Sequence, residues 1–142
     1  MGNVYAEITL KNAGDSIIAS RGMINEEEIR SVVVTAMVDT GAMTLIISEE
    51  IREQLGLRIE CLKKVWLAND QSEVASVTEP VEVHWNDRDY TGSALVLSGR
   101  GEILLGLLPL ESMDLMVDPV NQRLVGVHGE EAMGFAVGVR EE

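Results

Sequence analysis

Cys61 is the single cysteine in a chain of 142 residues. No disulfide can close within the chain, and neither a zinc cage built on cysteines nor a two-cysteine redox centre is available to it. Free thiols are usually buried and inert, and that is the expectation for Cys61. Aromatic residues are also scarce, 4% of the chain against 46% hydrophobic overall, so the core has to be built from Val, Ile, Leu, Met and Ala. No apolar run approaches the roughly 18 residues of a membrane-spanning helix. The stretch from Met1 to Glu7 has neither the basic start nor the apolar run of a secretion leader, and a cytoplasmic protein without membrane partners is expected. Positive charge is the last scarcity: 11 Lys and Arg stand against 24 Asp and Glu, for a net charge of −13. Binding to a phosphate backbone depends on neutralising cations, so no nucleic-acid partner is expected.

The length suits one domain over residues 1–142 with a core that needs no cross-links. Val4 to Leu10 alternates loosely and reads as a strand. Residues 11–30 carry no clear pattern, although Glu26-Glu27-Glu28 could open a short helix or border a solvated loop. Ser31 to Val38 is β-branched and apolar on both faces, the pattern of a strand buried on both sides and running into Asp39. A short strand at Leu45–Ile47 precedes a helix over 48–56, with a serine cap, acids in its first turn and a terminal glycine. Hairpins follow. Cys61 to Ala68 and Ser72 to Thr78 are two arms around Asn69-Asp70-Gln71. Val77, Val81, Val83 and Trp85 share one face, with Glu82 and His84 on the other. Tyr90 to Leu97 reads as a returning strand and Ile103–Gly106 as a short buried one. A helix follows over 107–113, with Pro109 in its first turn, then a last hairpin around Asp118–Asn121. The apolar, glycine-dotted stretch 132–139 could add an edge strand. Many short strands with turns between them argue for an all-β barrel or sandwich with one or two short helices.

The segment with chemical content is Asp39-Thr40-Gly41-Ala42. A carboxylate leaving an apolar strand sits where desolvation favours its neutral form, and the glycine allows backbone to come close to it; that suits an acid or a base. The triplet alone is weak, since roughly one random chain in thirty of this length would contain it. Its setting adds to it: an apolar strand before, a helix soon after, and a second apolar-apolar-glycine strand at Ile103–Gly106. His84 and His128 lack the Asp and Ser patterns of a triad and read as solvated; Asp114 and Asp118 read as turn residues.

On these motifs the chain resembles the retropepsin-like aspartic proteases, more closely the cellular and bacterial members than the viral ones, over about Val32 to Val127. The resemblance implies a closed acid-protease barrel with one lobe per chain, an aspartic endopeptidase activity without metal or other cofactor, and a homodimer acting on a peptide or protein substrate. Carried over, Asp39 is catalytic and Thr40, Gly41 and Ala42 support the active loop. Leu67, Ala68, Asn69, Asp70 and Gln71 lie near the tip of a flap that covers substrate. Two carboxyls about 3 Å apart share one proton, so the ionised one activates water while the protonated one polarises the carbonyl. Each chain supplies one of them. Met43 and Leu107 replace an acid and an arginine that tie viral dimers together, and Asn69 and Asp70 stand where flap glycines are common. A dimeric module that keeps this fold and holds polypeptides without cutting them is the alternative. A metal-dependent hydrolase using Asp and His is weaker, because the spacing of ligands is lacking.

Overall fold

The computed structural model describes residues 2–67 and 69–129, so the expected edge strand over 132–139 lies outside the described residues. In chain order the elements are β1 (Val4–Asn12), α1 (Ala13–Ser20), a 3₁₀ turn (Glu26–Glu28), β2 (Ser31–Val38), β3 (Ile46–Ile47) and α2 (Glu49–Leu55). They continue with β4 (Ile59–Trp66), β5 (Ser72–Thr78), β6 (Val81–Trp85), β7 (Arg88–Gly92) and β8 (Leu95–Val96). The described chain closes with β9 (Leu104–Leu105), α3 (Leu107–Ser112), β10 (Leu115–Asp118) and β11 (Arg123–Gly126). The fold is mostly β, with nine strands in the order β4-β5-β8-β3-β9-β2-β1-β6-β7 and a separate β10–β11 hairpin. The fold is the expected one in class, with differences of detail. Three α-helices are present where one or two were expected, and the large sheet curls as a half-barrel with β4 and β7 as its outer strands.

β1 alternates buried and exposed residues along its whole length, which places Ala6, Ile8 and Leu10 in the core. It pairs antiparallel with β2 on one side and β6 on the other. β2 was expected to be buried on both faces, but only Val34 and Ala36 are fully buried and Val33 is 59% exposed. An apolar run does not report how many layers cover it, and this strand has a single covered face. The expected strand over 90–97 is broken in two, with β7 pairing β6 and β8 pairing β5 and β3. The break is fixed by Thr78, fully buried, whose N–H donates to the Ala94 carbonyl and whose hydroxyl accepts the Ala94 N–H. Cys61 is exposed, contrary to expectation, because all of β4 except Val65 is exposed.

The segment that was hard to read closes on itself. Asn12 ends β1 and caps α1: its Oδ1 accepts the Asp15 N–H, while its Nδ2 donates to the Leu55 carbonyl at the end of α2. The Asp15 carboxylate then receives the Arg30 backbone N–H and both Nε and Nη2 of its guanidinium at 2.8–3.0 Å. At the other end of the sheet, buried Arg88 donates to the carbonyls of Met113, Asp114 and Gly129. Asp114, expected as a turn residue, has a left-handed φ of 59° and is buried. It also bonds His128 Nδ1 at 2.8 Å, so His128 has an Asp partner that the sequence did not reveal. His84, on its polar face, meets Glu82 at 2.8 Å. No helix among the described residues is long and apolar enough to cross a membrane.

Candidate active site

The loop that carries Asp39 is built by two short strands from distant parts of the chain. β2 runs parallel to β9, pairing Met37 with Leu104 and Val38 with Leu105. The Asp39 N–H continues this ladder by donating to the Leu105 carbonyl at 3.0 Å. The chain then turns back, with the Ala42 N–H donating to the Asp39 carbonyl and the Gly41 N–H to Asp39 Oδ1 at 2.9 Å. Beyond the turn, the Leu107 and Leu108 N–H groups at the start of α3 donate to the carbonyls of Ala42 and Met43. Gly106 sits against this loop so closely that a Cβ there would lie 2.6 Å from the Ala42 oxygen and nearer still to that of Thr44. The apolar-apolar-glycine pattern of β9 is therefore a packing requirement of the Asp39 loop.

Asp39 is partly exposed, and Thr40 and Gly41 are exposed. The expected enclosure of the carboxylate is not achieved within one chain. Met43 is 70% exposed and Leu108 45%, an apolar rim beside the loop. Leu107 is tied in by its backbone, and the loop is held by main-chain bonds where an ion pair was absent from the sequence.

A row of half-exposed apolar side chains leads away from Asp39. Register connects Met37 to Leu104, Leu104 to Ile46, Ile46 to Leu95, Leu95 to Val77 and Val77 to Cys61. Residues paired across neighbouring strands share a face, and Met37 and Asp39, two apart, project to the same side. The opposite face at these strands carries Leu105, Ile47 and Val96, all buried in the core. The row thus floors a surface that begins at Asp39 and rises into the β4–β5 hairpin. Sequence reasoning did not find Leu104, Ile46, Leu95 and Val77 as a set, since strands of two residues have no period from which to read their facing.

The hairpin tip turns through Leu67, Asn69, Asp70 and Gln71; Ala68 lies outside the described residues. The Leu67 N–H donates to the Gln71 carbonyl, the Asp70 N–H to the Leu67 carbonyl and the Gln71 N–H to Asn69 Oδ1. Asp70 takes the left-handed φ, 65°, that glycine usually fills. Among the described residues there is no cluster of three or more His, Cys, Asp or Glu side chains able to hold a metal ion.

A profile of the family described as aspartyl protease matches residues 20–107. The retroviral protease-like domain of Ddi1 from Leishmania major superposes with a TM-score of 0.54 at 16% identity, covering 88% of each chain. A retropepsin-like aspartic protease from Rickettsia conorii is 20% identical, over 82% of this chain and 77% of its own, with a TM-score of 0.48. No curated protein matches the chain in sequence. With the family profile matching more than half of its length, and with a retropepsin-like fold around the Asp39 loop, the chain belongs to the aspartyl protease family.

Proposed function

We propose that this protein is an aspartic endopeptidase that works as a homodimer, with Asp39 of each subunit giving one carboxyl of a shared pair. The observation that carries the reading is Asp39 itself, held on a loop braced from two strands at the head of an apolar floor. A lone carboxyl has no partner with which to divide acid and base roles; a two-fold assembly supplies one from the same surface of a second copy. The ionised carboxylate takes a proton from water as the hydroxyl joins the peptide carbonyl carbon. The protonated carboxyl donates to the carbonyl oxygen, and collapse of the intermediate delivers a proton to the departing nitrogen. Thr40, Gly41 and Ala42 hold the loop, and Leu67 to Gln71, Ala68 included, close over an extended polypeptide. Apolar side chains of that polypeptide rest on Leu104, Ile46 and Leu95.

The test is subunit mixing. Asp39→Asn should abolish cleavage of a diverse peptide mixture and leave the fold intact, since Asn neither shares the proton nor acts as a base. When wild-type and variant subunits exchange, activity should fall with about the square of the wild-type fraction. A linear fall after proven exchange would mean that each chain works alone. Cleavage blocked by a chelator would favour a metal hydrolase. No cleavage from acid to neutral pH, with peptide still bound, would favour the non-catalytic module, a reading prompted by Asp70 in place of a glycine at the flap turn.

A further inference from the structure

The β4–β5 hairpin has a second face that the apolar floor does not use. Cys61 and Val77 continue the row that starts at Asp39, so Leu62, Lys64 and Trp66 on β4, with Val74 on β5, point to the opposite side. Nearer the body that side of the sheet is covered by the core; out on the hairpin it is bare. Leu62 is 67% exposed, Trp66 70% and Val74 59%. Lys64 lies over the Trp66 ring, 5.5 Å from its centroid, and pairs with Val74 across the strands. Among the described residues β4 is also an outer strand of the sheet, with β5 as its one strand partner. Its free edge leaves backbone donors and acceptors at alternate residues, the arrangement to which an extended segment adds as a further strand.

Charge selects the occupant. The chain carries −13 overall and has three lysines, Lys11, Lys63 and Lys64, of which two are neighbours at the middle of this edge. Their acidic neighbours Glu60 and Asp70 stand toward its ends, and Glu73 on β5 faces Arg100 at 3.6 Å. A second copy laid antiparallel on β4 would bring lysine pairs together, which disfavours self-pairing. Residues 130–142 leave the described chain at Gly129, which is bonded to Arg88 on β7, the other outer strand. We infer that the free edge of β4 docks an extended segment of a partner protein whose alternate residues place acidic side chains beside Lys63 on one face and apolar ones beside Leu62, the Lys64 stem and Trp66 on the other. Leu62, Lys64 and Trp66 face away from Asp39 and Lys63 lies on its side of the strand, but β4 is the outermost strand, so a segment added to its edge sits beside the hairpin and not over Asp39.

The experiment uses the Asp39→Asn chain, in which cleavage does not interfere and binding stands apart from any protease activity. Three fluorescent probes of about ten residues, long enough to span β4, are compared by anisotropy: alternating Glu and Val, alternating Lys and Val, and the Glu-Val sequence N-methylated at alternate residues. The expected result is saturable binding of the Glu-Val probe, weaker by about tenfold or more for the other two, and lost to a similar degree in Lys63→Glu/Lys64→Glu and in Trp66→Ser. The charge-reversed variant should now prefer the Lys-Val probe. All substituted side chains are exposed, and unchanged circular dichroism and Tm establish that the variants fold. Equal binding of the Glu and Lys probes, no saturable binding, or binding indifferent to these substitutions overturns the proposal. So does sedimentation showing self-association that Trp66→Ser abolishes, which would assign the face to a second copy.

Discussion

Asp15 is a buried carboxylate whose bonds to the Arg30 side chain, ahead of its bond to the Arg30 backbone, hold its pKa below the ordinary 3.8; burial acts the other way. A group with a depressed folded-state pKa stabilises the fold above its unfolded pKa, and the stabilisation is lost as pH falls through the folded value. Asp15→Asn should therefore lower neutral-pH stability by roughly 2 kcal/mol, the scale of hydrogen bonds to a charged group. It should also flatten the fall of stability below about pH 4, read by denaturant melts across an acid series. The Arg30 side chain is 52% exposed, so part of the effect should yield to salt. Gly106→Ala is the sharper change, because its Cβ would meet backbone oxygens of the Asp39 loop that no rotamer can move. A loss of about 3 kcal/mol or a displaced loop is expected, with cleavage falling by more than the population of folded protein explains. Asp39 and Gly106 were both legible as sequence, the one as a triplet after an apolar run and the other as the end of one. Asn12, Asp15 and Arg30 were not, because their meaning lies in contacts across the turns between β1, α1 and β2.

Elements with their own end signals were the readable ones. α2 was foreseen from Ser48, the acids after it and Gly56, and the structure uses each: the Ser48 hydroxyl accepts the Ile51 N–H, and Gly56 has φ 66°. α1 was missed because its cap, Asn12, is also the last residue of a strand. The pairing of β3, β8 and β9 was out of reach too, since two-residue strands are defined by their neighbours. Left-handed residues separate the two turns that flank the β4 arm. Gly56→Ala should destabilise by about 1–2 kcal/mol, because a φ of 66° strains any residue with a Cβ, and the Arg30 guanidinium would also have to shift to admit the methyl group. Asp70→Gly, at φ 65°, should raise Tm slightly or leave it unchanged, since it relieves a left-handed non-glycine. A large loss from Asp70→Gly would show that the carboxylate, not the turn, is what the tip needs.

At the scale of the whole molecule the dominant fact is charge. Two copies of −13 each, paired as proposed, would carry −26 together, while the rim beside Asp39 offers the apolar Met43 and Leu108. Association through such a rim should tighten as salt screens the repulsion, the screening length falling from about 10 Å at 0.1 M to about 3 Å at 1 M. Moderate acidification should act in the same direction by neutralising carboxylates. Sedimentation equilibrium against salt checks this, and dimers that loosen as salt rises would reveal an interface held by ion pairs.

The parallel pairing of β2 with β9 also sets a timetable. Met37 and Val38 cannot find Leu104 and Leu105 until the intervening chain has been made and looped back, and closure over such a span is among the slow steps of folding. A ribosome that has released only the first two-thirds of this protein holds β1 and β2, and even the β4–β5 hairpin, but no finished Asp39 loop. If Asp39 acts as proposed, a growing chain passes through most of its synthesis without a finished catalytic loop, and so without the means to cut its neighbours or itself.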